Sequence, residues 1–378
     1  MSTNLDFNNL SFDLPKNQSN VIKVIGVGGG GSNAINHMFL KGIKGVDYVV
    51  CNTDSQALKN SPVPNKIQLG VNLTEGMGAG ANPSIGEQAA IENLTELRDM
   101  LEKNTKMVFI TAGMGGGTGT GAAPAIAKIT KELGALTVGV VTRPFAFEGP
   151  KRKSRADEGI DSLKRNCDTL LVIPNETLLE ITDQTTSVND SFKLADSVLY
   201  QATKGISDLI NVPGLINLDF ADVKTVMENM GDAIMGTGEA HGEERAVLAS
   251  QQAINSPLLQ DSSIKGAKGL LVNITGPSDM SIHELNSASS IIYEEAGEDA
   301  NVILGCVIDD NLKDEVRVTV IATGLNETNL EVSEDASQEQ MSFIRDRVIE
   351  NNNEGKNKGT NLSFGDDYEV SAYLRDRK

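Results

Sequence analysis

The chemistry of this sequence concentrates in its glycines. Of the 37 in the chain, several fall in two dense clusters, and clustered glycine marks backbone that turns sharply or approaches a ligand closely. The first cluster, Gly26-Val27-Gly28-Gly29-Gly30-Gly31-Ser32-Asn33, follows the apolar run Val21-Ile22-Lys23-Val24-Ile25. It has G-x-G-x-x-G spacing between a strand and a helix. Such a turn lets backbone approach a pyrophosphate, and the helix start offers unpaired N–H groups and a positive dipole end. The same spacing describes a dinucleotide site, in which an acidic residue about 20 positions on binds the ribose. Asn52 is the first polar position there, and Asp54 keeps that alternative open.

The second cluster is Gly113-Met114-Gly115-Gly116-Gly117-Thr118-Gly119-Thr120-Gly121, again between an apolar run and a helical stretch. Two such loops at the carboxyl ends of neighbouring parallel strands would converge on one ligand and suit a chain of phosphates. No G-x-x-x-x-G-K-[ST] occurs, which excludes the lysine-based phosphate loop. Backbone amides, Thr118 and a Mg²⁺ ion would carry the charge instead. A third stretch, Gly76-Met77-Gly78-Ala79-Gly80-Ala81-Asn82-Pro83, either closes over the terminal phosphate or is a mobile surface loop.

The remaining composition narrows the partners. A net charge of −19 gives no global basic footprint for nucleic acid. Cys51, Cys167 and Cys306 fit neither a zinc site nor a disulfide framework and read as buried thiols. His37, His241 and His283 are scattered, as surface or packing residues. The first 20 residues lack the basic start and apolar core of a secretory signal, and no apolar run approaches the roughly 20 residues that span a bilayer. A cytoplasmic protein is the expectation.

The elements that must position the glycine clusters alternate between two periodicities. Strands are expected at 21–25, 47–51, 107–110, 136–141 and 169–173, and helices at 32–40, 85–101 and 122–133. That alternation argues for a mostly parallel sheet covered by helices on both faces. From Asn189 to Ile210 the residues Phe192, Ala195, Leu199, Ala202, Ile206 and Leu209 keep helical spacing, long enough for a strut. A smaller α+β region follows, with a glycine-rich strand or loop at 230–238, helices at 243–254 and 281–296, and strands at 269–274, 301–308 and 316–322. The expected organisation is therefore a flexible arm (1–20), an α/β domain (21–186), a central helix (187–210), an α+β domain (211–325), a disordered linker (326–366) and an end peptide (367–378). In that peptide Val370, Tyr373 and Leu374 beside Arg375, Arg377 and Lys378 suit docking, and equally a frayed tail.

Gly-Gly-Gly-Thr-Gly-Thr-Gly at 115–121 resembles the signature of the tubulin superfamily. The run from Ile22 to Asn33, Gly78 to Pro83, Phe145-Ala-Phe-Glu-Gly149, Asn217-Leu-Asp-Phe-Ala-Asp222 and Arg317 to Gly324 are similar to the family of bacterial cell-division GTPases, the FtsZ family. The resemblance covers about residues 21–325 in order. It implies a tubulin-like fold that binds GTP and GDP with Mg²⁺, stacks head to tail into filaments, and forms the cytokinetic ring at the inner face of the membrane.

By that resemblance Gly29, Gly30, Gly31, Ser32 and Asn33 hold phosphates and base, with Ser32 acting through its backbone, and Gly117, Thr118 and Gly119 hold phosphates. Glu148 and Arg152 lie near ribose and phosphates, although the residues alone describe a surface ion pair. Phe192 stacks on guanine, and Asp196 accepts from guanine N1–H and N2–H₂, as an acceptor-only carboxylate can. Asp219 and Asp222, three apart and so on one side of a helical turn, enter the site of the next subunit with Asn217 and position the attacking water. The end peptide has Ser371 before Ala372-Tyr373-Leu374, where the family usually has Pro, and by resemblance it binds division proteins and membrane tethers. Two rivals stay open: a dinucleotide-dependent oxidoreductase, and a filament scaffold that binds nucleotide without turnover.

Overall fold

The computed structural model describes residues 21–325 except 103, 181, 183, 184, 213, 217 and 260–262. Expectations for the arm, Asn217, the linker and the end peptide lie outside these residues. The chain runs β1 (Ile22–Val27), α1 (Gly28–Lys41), β2 (Val46–Asn52), α2 (Ser55–Asn60), β3 (Asn65–Gln68), α3 (Val71–Thr74), α4 (Pro83–Glu92) and α5 (Leu94–Leu101). It continues with β4 (Met107–Gly113), α6 (Thr118–Glu132), β5 (Leu136–Arg143), α7 (Pro150–Lys164), β6 (Thr169–Pro174) and α8 (Asn175–Leu178). The long helix α9 (Val188–Asn211) leads to α10 (Phe220–Met227), β7 (Gly231–His241), α11 (Arg245–Ile254), β8 (Gly269–Gly276), α12 (Ile282–Ala296), β9 (Asn301–Ile308) and β10 (Glu315–Thr323).

Ten strands form one sheet in the order β3-β2-β1-β4-β5-β6-β7-β10-β8-β9. β3 through β6 are parallel, and a short parallel pairing, Thr169 opposite Gly231 to Leu171 opposite Ala233, carries the sheet into β7. β10 runs antiparallel to both β7 and β8. The direction of strand order reverses between β1 and β4, and open parallel sheets bind ligands at such a switch point.

Strand alternation sorts the core onto both faces. In β1, Ile22 and Val24 join one apolar cluster and Ile25 and Val27 the other; in β4, Met107 and Phe109 separate likewise from Val108 and Ile110. A third cluster fills the region around β7, β8 and β10. The central helix lays Ala195, Leu199, Ala202, Ile206 and Leu209 into the first cluster, as its spacing predicts. Phe192 breaks the pattern: it belongs to the same stripe yet is exposed. Ser187 caps the helix by accepting from the Asp190 N–H at 3.1 Å.

The expected helix at 85–101 is two helices, broken at Asn93. The Asn93 carbonyl side chain accepts from Gly70 N–H at 2.8 Å, which ties the break to the end of β3. Only Leu97 and Leu101 of its expected apolar face are buried; Ile91 and Leu94 are exposed. The strand β3 escaped the sequence reading because four residues with one buried apolar position carry no period. The glycine-rich stretch after 230 is a strand, since Gly236 and Gly238 let α11 lie directly on β7.

Candidate nucleotide site

Both glycine clusters emerge at the switch point, at the carboxyl ends of the paired strands β1 and β4. The helices that follow begin earlier than their periodicity suggests, at Gly28 rather than Ser32 and at Thr118 rather than Ala122. The first N–H groups of a helix have no intrahelical acceptor, so glycines there leave backbone amides open to an anion. Gly28 has φ of +73°, and a Cβ there would stand 2.7 Å from the Gly119 nitrogen. The two phosphate-type turns are therefore in backbone contact. The third glycine stretch is no free loop: Ala79 and Asn82 pack against Gly117, and Asn82 caps α4 by accepting from Ser84 N–H at 3.1 Å.

A cleft opens beside these turns. Of the residues singled out in the sequence it is lined by Gly30, Asn33, Glu148, Arg152, Phe192 and Asp196. Gly31 and Ser32 are buried beneath the first turn of α1, where the Ser32 hydroxyl donates to the Gly28 carbonyl at 2.7 Å. Gly29 is exposed, while Gly117, Thr118 and Gly119 form the adjoining turn at the start of α6. Asp219 and Asp222 stand elsewhere, exposed at the start of α10. There they form a capping box: Asp219 Oδ1 accepts from Asp222 N–H at 2.9 Å, and Asp222 Oδ2 accepts from Asp219 N–H at 3.2 Å.

Glu148 and Arg152 form an ion pair at 3.0 Å, and both line the cleft. Glu148 is fixed because its Oε1 also accepts from Phe145 N–H at 2.9 Å. Phe192 meets Phe145 edge to face at 5.4 Å and is exposed where it lines the cleft. Burial pushes the Asp196 carboxyl up from its usual 3.8 to about 7. Asp54 accepts from the N–H groups of Gln56 and Ala57 at 2.8 and 3.3 Å. One oxygen of its carboxylate thus caps α2, and Asp54 is not among the residues that line the cleft beside the glycine turns.

Several contributors were not assigned to the site from the sequence. Thr142, Pro144 and Asn175 also line the cleft, with Met114 of the second glycine cluster and Leu199 of the central-helix stripe. Asn175 is 4% exposed, and its Oδ1 has no partner among the described residues. Its signal was a polar residue directly after a buried strand end. His37 is half-buried between α1 and α9, edge-on to Tyr200 at 5.8 Å. Its Nδ1 has no partner among the described residues, and burial and the nearby Lys41 hold its pKa below 6.5. The three cysteines are buried, and burial pushes the Cys51 and Cys167 thiols to about 12. Among the described residues no group of His, Cys, Asp and Glu could hold a metal by itself, and no helix is long and apolar enough to cross a membrane.

Comparison with known proteins agrees with this geometry. Residues 21–183 match the Tubulin/FtsZ family GTPase domain, and residues 231–326 match the FtsZ family C-terminal domain. The structure is similar to an FtsZ dimer from M. jannaschii, with 47% identity, a TM-score of 0.77, and coverage of 81% of this chain and 88% of that one. A tryptophan-to-tyrosine mutant of M. jannaschii FtsZ gives 47% identity and a TM-score of 0.76, covering 80% and 91%. CetZ2 from Haloferax volcanii, solved as a GTPγS-bound protofilament, shares the fold at 19% identity, with a TM-score of 0.68 and coverage of 86% and 99%. Fold and cleft together define a GTPase of the tubulin kind, a parallel α/β nucleotide domain followed by an FtsZ-type C-terminal domain. The chain belongs to the FtsZ family, whose members bind GTP and GDP.

Proposed function

We propose that this protein polymerises with GTP and builds the cytokinetic ring of a bacterial cell, in the cytoplasm at the inner face of the membrane. Gly29, Gly30, Gly31 and Ser32 bind phosphates through backbone, with Gly117, Thr118 and Gly119 on the other side. Asn33 and Asp196 read guanine, Phe192 stacks on it, and Glu148, Arg152 and Asn175 surround the ribose and phosphates. The hydroxyl of Thr118 is a hard oxygen donor beside this cradle and fits a Mg²⁺ ion held mainly by phosphate oxygens, which when bound would neutralise phosphate charge. Asp219 and Asp222, with Asn217, act on the nucleotide of the next subunit, orienting water for attack on the γ-phosphate to release GDP and phosphate. The chain thus works as a head-to-tail homopolymer, recruited to division proteins and membrane tethers through residues 367–378.

The observation that carries this reading is a separation. The cleft has groups for base and phosphates, while Asp219 and Asp222 stand exposed on α10 outside it. That separation supports the reading in which the water-positioning acid comes from another molecule, since Glu148 and Asp196 of the cleft are assigned to the ribose side and the base. Light scattering and phosphate release, followed together after adding GTP with GDP and ATP as controls, test it. Turnover per subunit should rise steeply with protein concentration and coincide with scattering. A rate per subunit independent of concentration would refute assembly-dependent hydrolysis, and filaments that release no phosphate would favour the scaffold reading.

A further inference from the structure

Asn52 ends β2 and Thr53 follows it, yet their side chains reach different helices. Asn52 Nδ2 donates to Ser32 Oγ at 3.3 Å, in the first turns of α1. Thr53 Oγ1 lies 2.7 Å from Thr118 Oγ1, the first residue of α6. Asn52 is 3% exposed and Thr53 is fully buried, so the Asn52–Ser32 bond is shielded from water and the Thr53 end of the Thr53–Thr118 bond is too. Both are themselves held: Asn52 Oδ1 accepts from Asp54 N–H at 3.2 Å, and the Thr53 carbonyl accepts from Thr74 Oγ1 at 3.3 Å. One dipeptide thus ties the two turns that carry the glycine clusters.

We propose that Asn52-Thr53 is a bracket that sets the spacing of the two phosphate turns and aims the Thr118 hydroxyl at the nucleotide. The assignment rests on the nucleotide reading of the cleft. A hydroxyl has one hydrogen and two lone pairs, and a phosphate oxygen only accepts. When Thr53 donates to Thr118, the Thr118 hydrogen is left for a phosphate oxygen. The Asn52 link to Ser32 holds α1 at the matching distance. Both are positioning residues: neither lines the cleft.

The test compares GDP and GMP affinity in the full chain for Thr53→Val, Thr53→Ser, Thr118→Val and the Thr53→Val/Thr118→Val pair. Losing one net hydrogen bond should shrink the preference for GDP over GMP by roughly three- to tenfold in Thr53→Val. Thr53→Ser should restore it to within about twofold. In the Thr118→Val background Thr53→Val should add nothing further, because Thr53 acts through Thr118. An unchanged preference in Thr53→Val, equal weakening of GDP and GMP, or full additivity of the two substitutions would overturn the bracket. Thermal unfolding of the nucleotide-free variants checks the fold, and Thr53→Ala takes the place of Thr53→Val if the latter does not fold. A wild-type chain that binds neither nucleotide would instead refute the nucleotide reading itself.

Discussion

If Asp196 accepts from the base as proposed, nucleotide affinity should depend on pH near neutrality. Burial raises its carboxyl pKa to about 7 in the empty cleft, so at pH 7 about half the molecules hold it neutral. Guanine presents N1–H and N2–H₂, and only the carboxylate accepts from both. Binding therefore selects the ionised form, lowers its pKa and releases a proton. At pH 8 about nine-tenths of the carboxyls are ready, and at pH 6 about one-tenth. GDP affinity should fall about tenfold from pH 8 to pH 6, or about 1.4 kcal/mol, and level off above pH 8. The linked stability effect has the opposite sign in the empty protein. There the folded pKa exceeds the unfolded 3.8, so stability from this group is full below 3.8 and is lost as pH rises through 7. Titration of labelled GDP at pH 6, 7 and 8 measures the affinity term. The terminal phosphate also titrates near pH 6, so Asp196→Asn is the control. It should lose the carboxylate component and keep the phosphate one, while shifting preference toward xanthine, whose 2-oxo group needs a donor. Equal pH slopes in wild type and Asp196→Asn would refute the assignment of Asp196 to the base.

Asp222→Ala should leave GTP binding intact and block turnover, whereas Asp219→Ala should also destabilise the fold by about 1 kcal/mol through loss of the α10 cap; phosphate release and thermal unfolding read the two effects. Leu209→Ala, in the buried stripe of the central helix, should lower unfolding free energy in urea by about 2–5 kcal/mol. Gly121→Ala should destabilise by about 1–3 kcal/mol, because its Cβ would run into the Pro83 carbonyl where α4 crosses α6; a variant as stable as wild type would show that the two helices can part.

The parallel sheet was legible because its strands are continuous apolar runs buried on both faces, and the central helix because its apolar positions keep one spacing from Phe192 to Leu209. The boundaries were less so. Glycine disfavours helix interiors, so Gly28–Gly31 and Thr118–Gly121 read as loop; in the structure they are first turns, where the usual acceptor is absent and the propensity penalty is offset by close approach of the two helices. The break at Asn93 was hidden because Ile91, Leu94, Leu97 and Leu101 keep helical spacing across it, although the first two face solvent.

Site residues divide along the same physical line. Asn33, Glu148, Arg152 and the Phe192 and Asp196 pair of α9 converge although they are far apart along the chain, and only the family resemblance links them in sequence. Asn52, Thr53 and Asn175 carry no motif, because their chemistry is a hydrogen bond to one distant partner or an unfilled acceptor. Phe192 shows how the two kinds of information combine. Its spacing assigns it to the core stripe of the central helix, and its exposure denies that assignment. An aromatic ring that keeps the core period but opens onto a polar cleft, one turn before a half-buried carboxyl, suits the proposed contact with a flat heterocycle that offers hydrogen-bond donors along its edge. Period, exposure and the neighbouring acid fit the proposed guanine, whose N1–H and N2–H₂ an ionised Asp196 would accept.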